Sequence, residues 1–192
     1  VVETGSDSTL KKGQRVVVPF TISCGGCFHC RIQQFSACEN SNPAEKQDMS
    51  AKLYGHSMAA LFGYSHLTGG YSGGQAEYVR VPYADVGPTV IPEWMDLDDA
   101  VLLTDVVPTG YQAAEMGGIQ KGDTVVVFGA GPIGIMAAKC AWLFGAGRVI
   151  VIDQLDYRLE FVKKYAQCEV YNFKSLEDPV VFIKKQINLS YK

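Results

Sequence analysis

The stretch Val125-Val126-Val127-Phe128-Gly129-Ala130-Gly131-Pro132-Ile133-Gly134 decides the fold of the second half of the chain. Its apolar start predicts a buried strand, and the apolar residues that follow Pro132 predict a helix. Between them, Gly129, Gly131 and Gly134 have the G-x-G-x-x-G spacing of a turn that carries the pyrophosphate of a dinucleotide. The helix N-terminus would offer free N–H groups to that anion. A tight turn without a ligand is the alternative that this pattern alone leaves open.

An acidic residue lies where a dinucleotide-binding turn needs one. Asp153 ends the next predicted strand, nineteen residues after Gly134, and the usual distance is about 20 residues. Its carboxylate can accept hydrogen bonds from the adenosine ribose and would repel a 2′-phosphate, which favours NAD over NADP. Arg158 is placed either to contact the adenosine or to be a solvated helix residue. We therefore predict NAD as the cofactor of the turn.

Strands and helices alternate on both sides of this turn. Strands are predicted at residues 124–128, 148–153 and 169–172, and helices at residues 132–144, 156–165 and 178–186. Helical periodicity also covers residues 98–106 and 108–117, with Gly117-Gly118 as a stop signal. Near-continuous apolar strands in such an alternation are typical of a parallel sheet that is covered on both faces. The sequence therefore predicts an α/β fold with a doubly wound parallel sheet.

The first half of the chain has fewer regular patterns. Residues 15–20 and 75–81 are predicted to be strands because they alternate or are rich in β-branched residues. Residues 40–74 are rich in Gly, Ser, Asn and Tyr and are predicted to be a long loop, in which only residues 57–62 have a helical pattern. Long ordered loops in compact domains often carry function.

Four cysteines, Cys24, Cys27, Cys30 and Cys38, follow the spacing C-x2-C-x2-C-x7-C. Such cysteines on turns can converge on one zinc ion, and Gly25-Gly26 allows the backbone of a tight knuckle. A ferredoxin-type cluster has the same first gaps, but its fourth cysteine follows after three residues and precedes proline. A zinc-ribbon nucleic-acid module would need basic surroundings, and four unliganded cysteines do not suit so polar a loop. The spacing predicts a structural tetrathiolate zinc site.

The composition limits the remaining classes of protein. The 192 residues are 47% hydrophobic and 19% charged with a net charge of −3, which is typical of a globular core and gives no charge pattern for nucleic acid. No apolar run reaches membrane-spanning length. Four clustered cysteines indicate metal binding in a reducing compartment, so we expect a cytoplasmic protein. The start at Val1, without Met or a signal peptide, is expected to lie inside a strand of a longer chain.

Together these motifs resemble the zinc-dependent medium-chain alcohol dehydrogenase superfamily over nearly the whole chain. The matching stretches are Gly13-Gln-Arg-Val-Val-Val18, the four cysteines, Gly74-Gln-Ala-Glu-Tyr-Val79 and the glycine turn with Asp153. Three further stretches are similar to glutathione-independent formaldehyde dehydrogenases and threonine-dehydrogenase-like proteins: Pro19-Phe-Thr-Ile-Ser-Cys24, Gly63-Tyr-Ser-His-Leu67 and Gly69-Gly-Tyr-Ser-Gly-Gly-Gln75. The resemblance implies a GroES-like catalytic domain at residues 1–105, lacking its N-terminal part, and the first half of an NAD-binding Rossmann domain at residues 106–192.

The resemblance also implies a catalytic zinc between the two domains, with three protein ligands and one open position. Asp105 matches the third ligand, which is a cysteine in many relatives and an aspartate in the formaldehyde dehydrogenase branch. Thr109 matches a residue that contacts the nicotinamide end of the cofactor. The family's first cysteine ligand and its Gly-His-Glu motif would precede Val1, and His56 and His66 do not match them.

For the complete protein, the resemblance implies hydride transfer from an alcohol or hydrated aldehyde, such as formaldehyde or a short alcohol, to NAD. It implies a dimer or tetramer and a small-molecule substrate, whereas the dispersed charge and the lack of a long apolar run indicate neither a nucleic acid nor a membrane as partner. A zinc-free quinone reductase is disfavoured because it would not need the four cysteines. The alternative left open is a truncated, non-catalytic zinc- and nucleotide-binding fragment, and this chain alone is expected to be inactive.

Overall fold

The computed structural model describes residues 1–56 and 58–186, which form parts of two compact units, Val1–Thr104 and Asp105–Lys192. Residue 57, the first of the predicted helical pattern at residues 57–62, and the chain after Gln186 lie outside the described residues. No helix among the described residues is both long and apolar enough to cross a membrane.

The first unit contains two short antiparallel strand pairs. Strand β1 (Val16–Val17) pairs with β4 (Thr89–Val90), and β2 (Thr21–Ile22) pairs with β3 (Ala60–Leu61). Its helices are α1 (Phe28–Arg31), α2 (Ala44–Tyr54) and α3 (Leu97–Ala100), and a 3₁₀ turn follows at Val101–Thr104. The buried apolar side chains of this unit are mostly small: Ile22, Cys30, Cys38, Ala59, Ala60, Ile91 and Ala100. The unit therefore has little large apolar surface with which to stabilise itself.

Two strand predictions in this unit differ from the structure. The strand predicted at residues 15–20 is too long: only Val16–Val17 (β1) form a strand within it, and it ends before Pro19, which has no N–H for a strand hydrogen bond. The strand predicted at residues 75–81 is wrong: this segment forms no strand among the described residues, and residues 75–80 are exposed. An alternating pattern alone does not make a strand, because a strand exists only where a second strand pairs with it.

The prediction of a loop from residue 40 to residue 74 missed helix α2. This helix has little amphipathic character, so hydrophobic periodicity did not reveal it, but its sequence is rich in strong helix formers such as Ala, Glu, Lys and Gln. Gly55 ends the helix in the left-handed conformation, with φ of 78° and its N–H bonded to the Ala51 carbonyl. The helical pattern at residues 57–62 is also wrong where the structure describes it, because residues 60 and 61 form β3.

The second unit confirms the predicted alternation of helices and strands. Its elements are α4 (Val106–Met116), β5 (Thr124–Phe128), α5 (Pro132–Leu143), β6 (Arg148–Asp153), α6 (Asp156–Ala166), β7 (Glu169–Asn172) and α7 (Pro179–Gln186). The three strands form a parallel sheet in the order β5-β6-β7. Gly117 and Gly118 end α4 as predicted, and Gly118 has a φ of 61°. The α/β fold is confirmed.

The central strand β6 is buried on both faces, as a parallel sheet requires. Val149, Ile150, Val151 and Ile152 are each at most 1% exposed. Val149 and Val151 lie in one apolar cluster with residues of α5 and α6, whereas Ile150 and Ile152 lie in another with Ile183 of α7. This two-sided burial fixes the carboxyl end of β6, where Asp153 follows the apolar run.

We predict that Ile150→Ala lowers the free energy of unfolding of the second unit by about 2–5 kcal/mol, because it leaves a cavity between the sheet and α7. The control is Val180→Ala on α7, where the side chain is 54% exposed and the loss should stay below about 1 kcal/mol. Urea denaturation followed by circular dichroism measures both. Equal losses for the two variants would contradict burial of this face.

Candidate functional site

The four predicted cysteine ligands lie together in the first unit. Their sulfur atoms are all within 4.8 Å of one another, and the sulfur atoms of Cys24 and Cys30 are 4.0 Å apart. Four thiolates at about 2.3 Å from one zinc ion would have their sulfur atoms about 3.8 Å apart. The donor set and its spacing therefore fit a tetrathiolate zinc ion after a contraction of no more than about 1 Å.

Short local elements bring these cysteines together. Cys24 follows β2, and Cys38 follows a 3₁₀ turn at Phe35–Ala37. Cys27 is the N-cap residue of α1, and Cys30 lies within this helix. Gly25 has a φ of 77°, and a Cβ built on it would lie 2.8 Å from Cγ2 of Val86. Glycine is therefore required at this position both for its backbone conformation and for the close approach of Val86.

N–H groups of the knuckle point at the sulfur atoms. The backbone N–H of Cys24 donates to Sγ of Cys38 at 3.2 Å, and the N–H of Gly26 donates to Sγ of Cys24 at 3.4 Å. The side-chain amide of Asn40 also donates to Sγ of Cys24, at 3.5 Å. Such donors stabilise thiolate, which is the form that binds a metal.

The thiols of the cluster differ in their pKa values. Burial raises the pKa of Cys38, but hydrogen bonds from the Ser41 hydroxyl and from the N–H groups of Cys24 and Asn40 outweigh it and lower the pKa to about 6. Burial and the neighbouring thiol of Cys27 raise the pKa of Cys30 to about 12. A bound divalent cation would favour the thiolate form of all four cysteines.

The glycine turn of the second unit lies between β5 and α5. Gly129 has a φ of 101° and donates its N–H to the Ile152 carbonyl at 2.8 Å, which ties the turn to β6. Gly131 is the N-cap of α5, with Pro132 as first helical residue, and a Cβ on Gly131 would meet no atom within 4 Å. A Cβ on Gly134 would overlap the carbonyl oxygen of Gly129. Gly129 therefore allows a left-handed turn, Gly131 leaves an open face, and Gly134 allows close packing against the backbone of the turn.

Asp153 is buried, 7% exposed, at the carboxyl end of β6. Its Oδ2 accepts the Ala130 N–H at 2.7 Å, and its Oδ1 accepts the N–H groups of Gln154 at 2.6 Å and Leu155 at 2.9 Å. Hydrogen bonding from Ala130 is the main reason why the pKa of Asp153 lies below its usual value, with smaller contributions from Leu155, Gln154 and Arg158. Sequence reasoning expected a ribose ligand here and missed that this carboxylate also holds the glycine turn.

The remaining predicted cofactor residues lie on the surface of the second unit. Arg158 is half-buried on α6, and its Nε donates to the Tyr157 hydroxyl at 3.1 Å. Ile133, the second residue of α5, is 43% exposed beside the glycine turn. Thr109 donates its hydroxyl to Oδ1 of Asp105 at 3.0 Å, so these two predicted residues contact each other at the start of α4.

A catalytic metal site is not assembled by the residues that the structure describes. Within residues 1–56 and 58–186, the four cysteines are the only group of three or more His, Cys, Asp or Glu ligand atoms close enough to hold one ion. Asp105 is exposed and belongs to no such group, and neither do His56 and His66. The described residues therefore do not fit a catalytic zinc, and the role of Asp105 as a ligand stays a prediction.

Comparison with known proteins gives the same family for sequence and structure. The sequence model of the alcohol dehydrogenase GroES-like domain family matches residues 1–93 of this chain. A zinc-type alcohol dehydrogenase-like protein, AdhB, of Bacillus subtilis is 44% identical over 188 residues, which cover 96% of this chain and 47% of the relative. A glutathione-independent formaldehyde dehydrogenase of the same organism is 40% identical over 177 residues, which cover 90% of this chain and 40% of the relative. The chain thus spans less than half the length of these two curated relatives.

The structure resembles solved alcohol dehydrogenases over both units. The alcohol dehydrogenase TADH from Thermus sp. ATN1 superposes with a TM-score of 0.84 at 31% identity, and the match covers 98% of this chain and 50% of that one. The GroES-like match, the relatives and this superposition agree with the convergence of the four cysteines. The chain therefore belongs to the zinc-type alcohol dehydrogenase family, and its first unit contains that family's GroES-like domain.

Proposed function

We propose that the complete protein is an NAD-dependent dehydrogenase that removes a hydride from an alcohol or a hydrated aldehyde. The observation that carries this proposal is the open glycine turn held by the Asp153 carboxylate in the second unit. The formaldehyde dehydrogenase at 40% identity supports a small alcohol or aldehyde as substrate. The clustered cysteines support the cytoplasm as its compartment.

The turn and Asp153 supply what the adenosine half of NAD needs. The N–H groups at the start of α5 would bind the pyrophosphate, which can approach because Gly131 has no Cβ and open space above it. An ionised carboxylate has about four acceptor positions, and Asp153 uses three of them within the chain. The remaining position would accept a ribose hydroxyl, and the negative charge would disfavour the 2′-phosphate of NADP.

Bound NAD would supply a nicotinamide ring that accepts the hydride. Thr109 is proposed to lie towards that end of the cofactor, where its hydroxyl is oriented by the carboxylate of Asp105. Arg158 is proposed to lie towards the adenosine, because its charge contributes to the lowered pKa of Asp153.

The tetrathiolate site is proposed to be structural. Four cysteine ligands complete a tetrahedron, so no position remains for a substrate. The apolar cluster at this site consists of Cys30, Cys38 and Ala59 with the two other cysteines packed against it, which is too small a core to hold a lobe by itself. Zinc binding at sites of this kind contributes on the order of 10 kcal/mol in small peptides and would stabilise the lobe instead.

For the chain as it stands, the proposed activity is binding without turnover. This second candidate is favoured by the isolation of Asp105 from any other ligand group among the described residues. The zinc content of the complete protein separates the two proposals: about two ions per chain support a catalytic site in addition to the structural one, and one ion per chain supports the structural site alone.

We predict that the chain binds one zinc ion and that Cys38→Ser removes most of it, because a hydroxyl replaces one of four thiolates. Elemental analysis after gel filtration measures the stoichiometry, and the melting temperature of the variant should fall with it. The control is Cys140→Ser, which changes a buried cysteine of α5 outside the cluster. A zinc content that is unchanged in Cys38→Ser, or lowered equally in both variants, would refute the site.

We predict that Gly131→Ala and Gly134→Ala fail in different ways. Gly131→Ala should keep the melting temperature but lower the affinity for NAD at least about tenfold, because the new methyl group occupies the open face. Gly134→Ala should lower the melting temperature, since its Cβ would overlap the Gly129 carbonyl.

Calorimetric titration with NAD and thermal denaturation measure these two variants. Gly5→Ala serves as the control, because a Cβ at Gly5 also meets open space but lies in the first unit. Wild-type affinity for NAD in Gly131→Ala would show that the turn does not carry the pyrophosphate.

A further inference from the structure

Asn172 lies at the carboxyl end of β7, beside the acidic end of β6. In the parallel register its Cα is the partner of that of Asp153. Its Nδ2 donates to Oδ1 of Asp156 at 2.6 Å and to the Gln154 carbonyl at 3.2 Å, and its Oδ1 accepts the Lys174 N–H at 3.0 Å. Both polar atoms of this side chain are therefore engaged, and two of its three contacts are to the turn after β6.

This turn is also the one that orients the Asp153 carboxylate. The N–H groups of Gln154 and Leu155 hold Oδ1 of Asp153, while Asn172 holds the carbonyl of the same Gln154. A shift of the peptide groups in this turn would redirect the Asp153 carboxylate, since its Oδ1 follows those two donors. Asn172 thus connects the neighbouring strand to the acid without contacting the acid itself.

The side-chain amide of Asn172 also orients a second carboxylate, that of Asp156. Asp156 is the first residue of α6, it is exposed, and the N-cap residue Leu155 provides no side-chain cap to this helix. Without Asn172, the Asp156 side chain would lose its hydrogen bond at 2.6 Å and could rotate into solvent. With Asn172, two carboxylates are held in the four residues that follow the apolar run of β6, Asp153 in the interior and Asp156 at the surface.

We propose that Asn172 is a positioning residue for the dinucleotide site and that, through Gln154 and Asp156, it strengthens the preference for NAD over NADP. This inference rests on the proposed function, because it concerns the same cofactor. The chemistry is electrostatic: the 2′-phosphate of NADP carries close to two negative charges, and each fixed carboxylate near it raises the free energy of the complex. A neutral ribose hydroxyl has no such repulsion and gains an acceptor.

The test compares the affinities of the purified chain for NAD and NADP in three variants. In Asn172→Ala both contacts to the turn are lost, and in Asp156→Asn the exposed charge is removed while the shape of the side chain is kept. We expect each to lower the ratio of NAD to NADP affinity by about tenfold, as the loss of one nearby charge would. Calorimetric titration measures binding directly, so the readout does not depend on turnover.

The matched control is Glu169→Gln at the other end of β7. It removes a two-point ion pair with Arg148, whose Nε and Nη2 atoms each lie 2.7 Å from a carboxylate oxygen of Glu169. This variant therefore destabilises β7 at the end that lies away from the turn after β6. The affinity ratio should stay at its wild-type value in this variant, which separates positioning of the turn from general weakening of β7.

The outcomes distinguish this inference from the proposed function. A wild-type chain that binds neither dinucleotide would overturn both. A wild-type chain that prefers NAD, together with unchanged ratios in Asn172→Ala and Asp156→Asn, would overturn the role of Asn172 alone. Should Asn172→Ala fail to fold, Asp156→Asn still tests the second carboxylate, because it changes an exposed residue, and an unchanged affinity ratio in this variant would overturn the inference.

Discussion

The hydrogen bonds of the Asp153 carboxylate are the constraint on which the second unit depends at the carboxyl edge of its parallel sheet. Three backbone N–H groups, those of Ala130, Gln154 and Leu155, converge on its two oxygens. They stabilise the charged form, so the pKa of Asp153 lies below the usual value of about 3.9. The ionised carboxylate therefore stabilises the folded state at pH values above its usual pKa. This contribution is lost as the pH falls through the lower pKa of the folded state. At neutral pH the turn and the acid are fixed together.

The first unit depends on a different interaction. Its strands are two residues long and its buried side chains are small, so apolar burial contributes far less there than in β6, where four large side chains are inaccessible. The four cysteines lie within α1, at its N-cap and in the segments that follow β2 and the Phe35–Ala37 turn, and their sulfur atoms are all within 4.8 Å of one another. A metal ion bound there would replace a missing apolar core, as metals do in other small lobes.

The difference between the two units explains which parts of the fold could be predicted. Buried strands and helices of the second unit leave strong periodic patterns, and β6 and β7 begin and end at the predicted residues. The first unit gave weaker signals. Residues 75–81 have a strand pattern but no strand partner among the described residues, and α2 forms from helix propensity with little amphipathic pattern. Pairing and propensity of this kind are decided by neighbours that a local pattern does not contain.

The candidate sites show the same limit. Ligand spacing predicted the four cysteines and the glycine turn because both sites are local in sequence. The contacts of Asn172 with Gln154 and Asp156 join residues sixteen to eighteen positions apart, and only the register of β6 with β7 brings them together. They have a consequence for binding that the motif does not show. Because the turn, the acid and the second carboxylate are held by the chain's own hydrogen bonds, a dinucleotide would meet a preorganised edge and lose less free energy to ordering it.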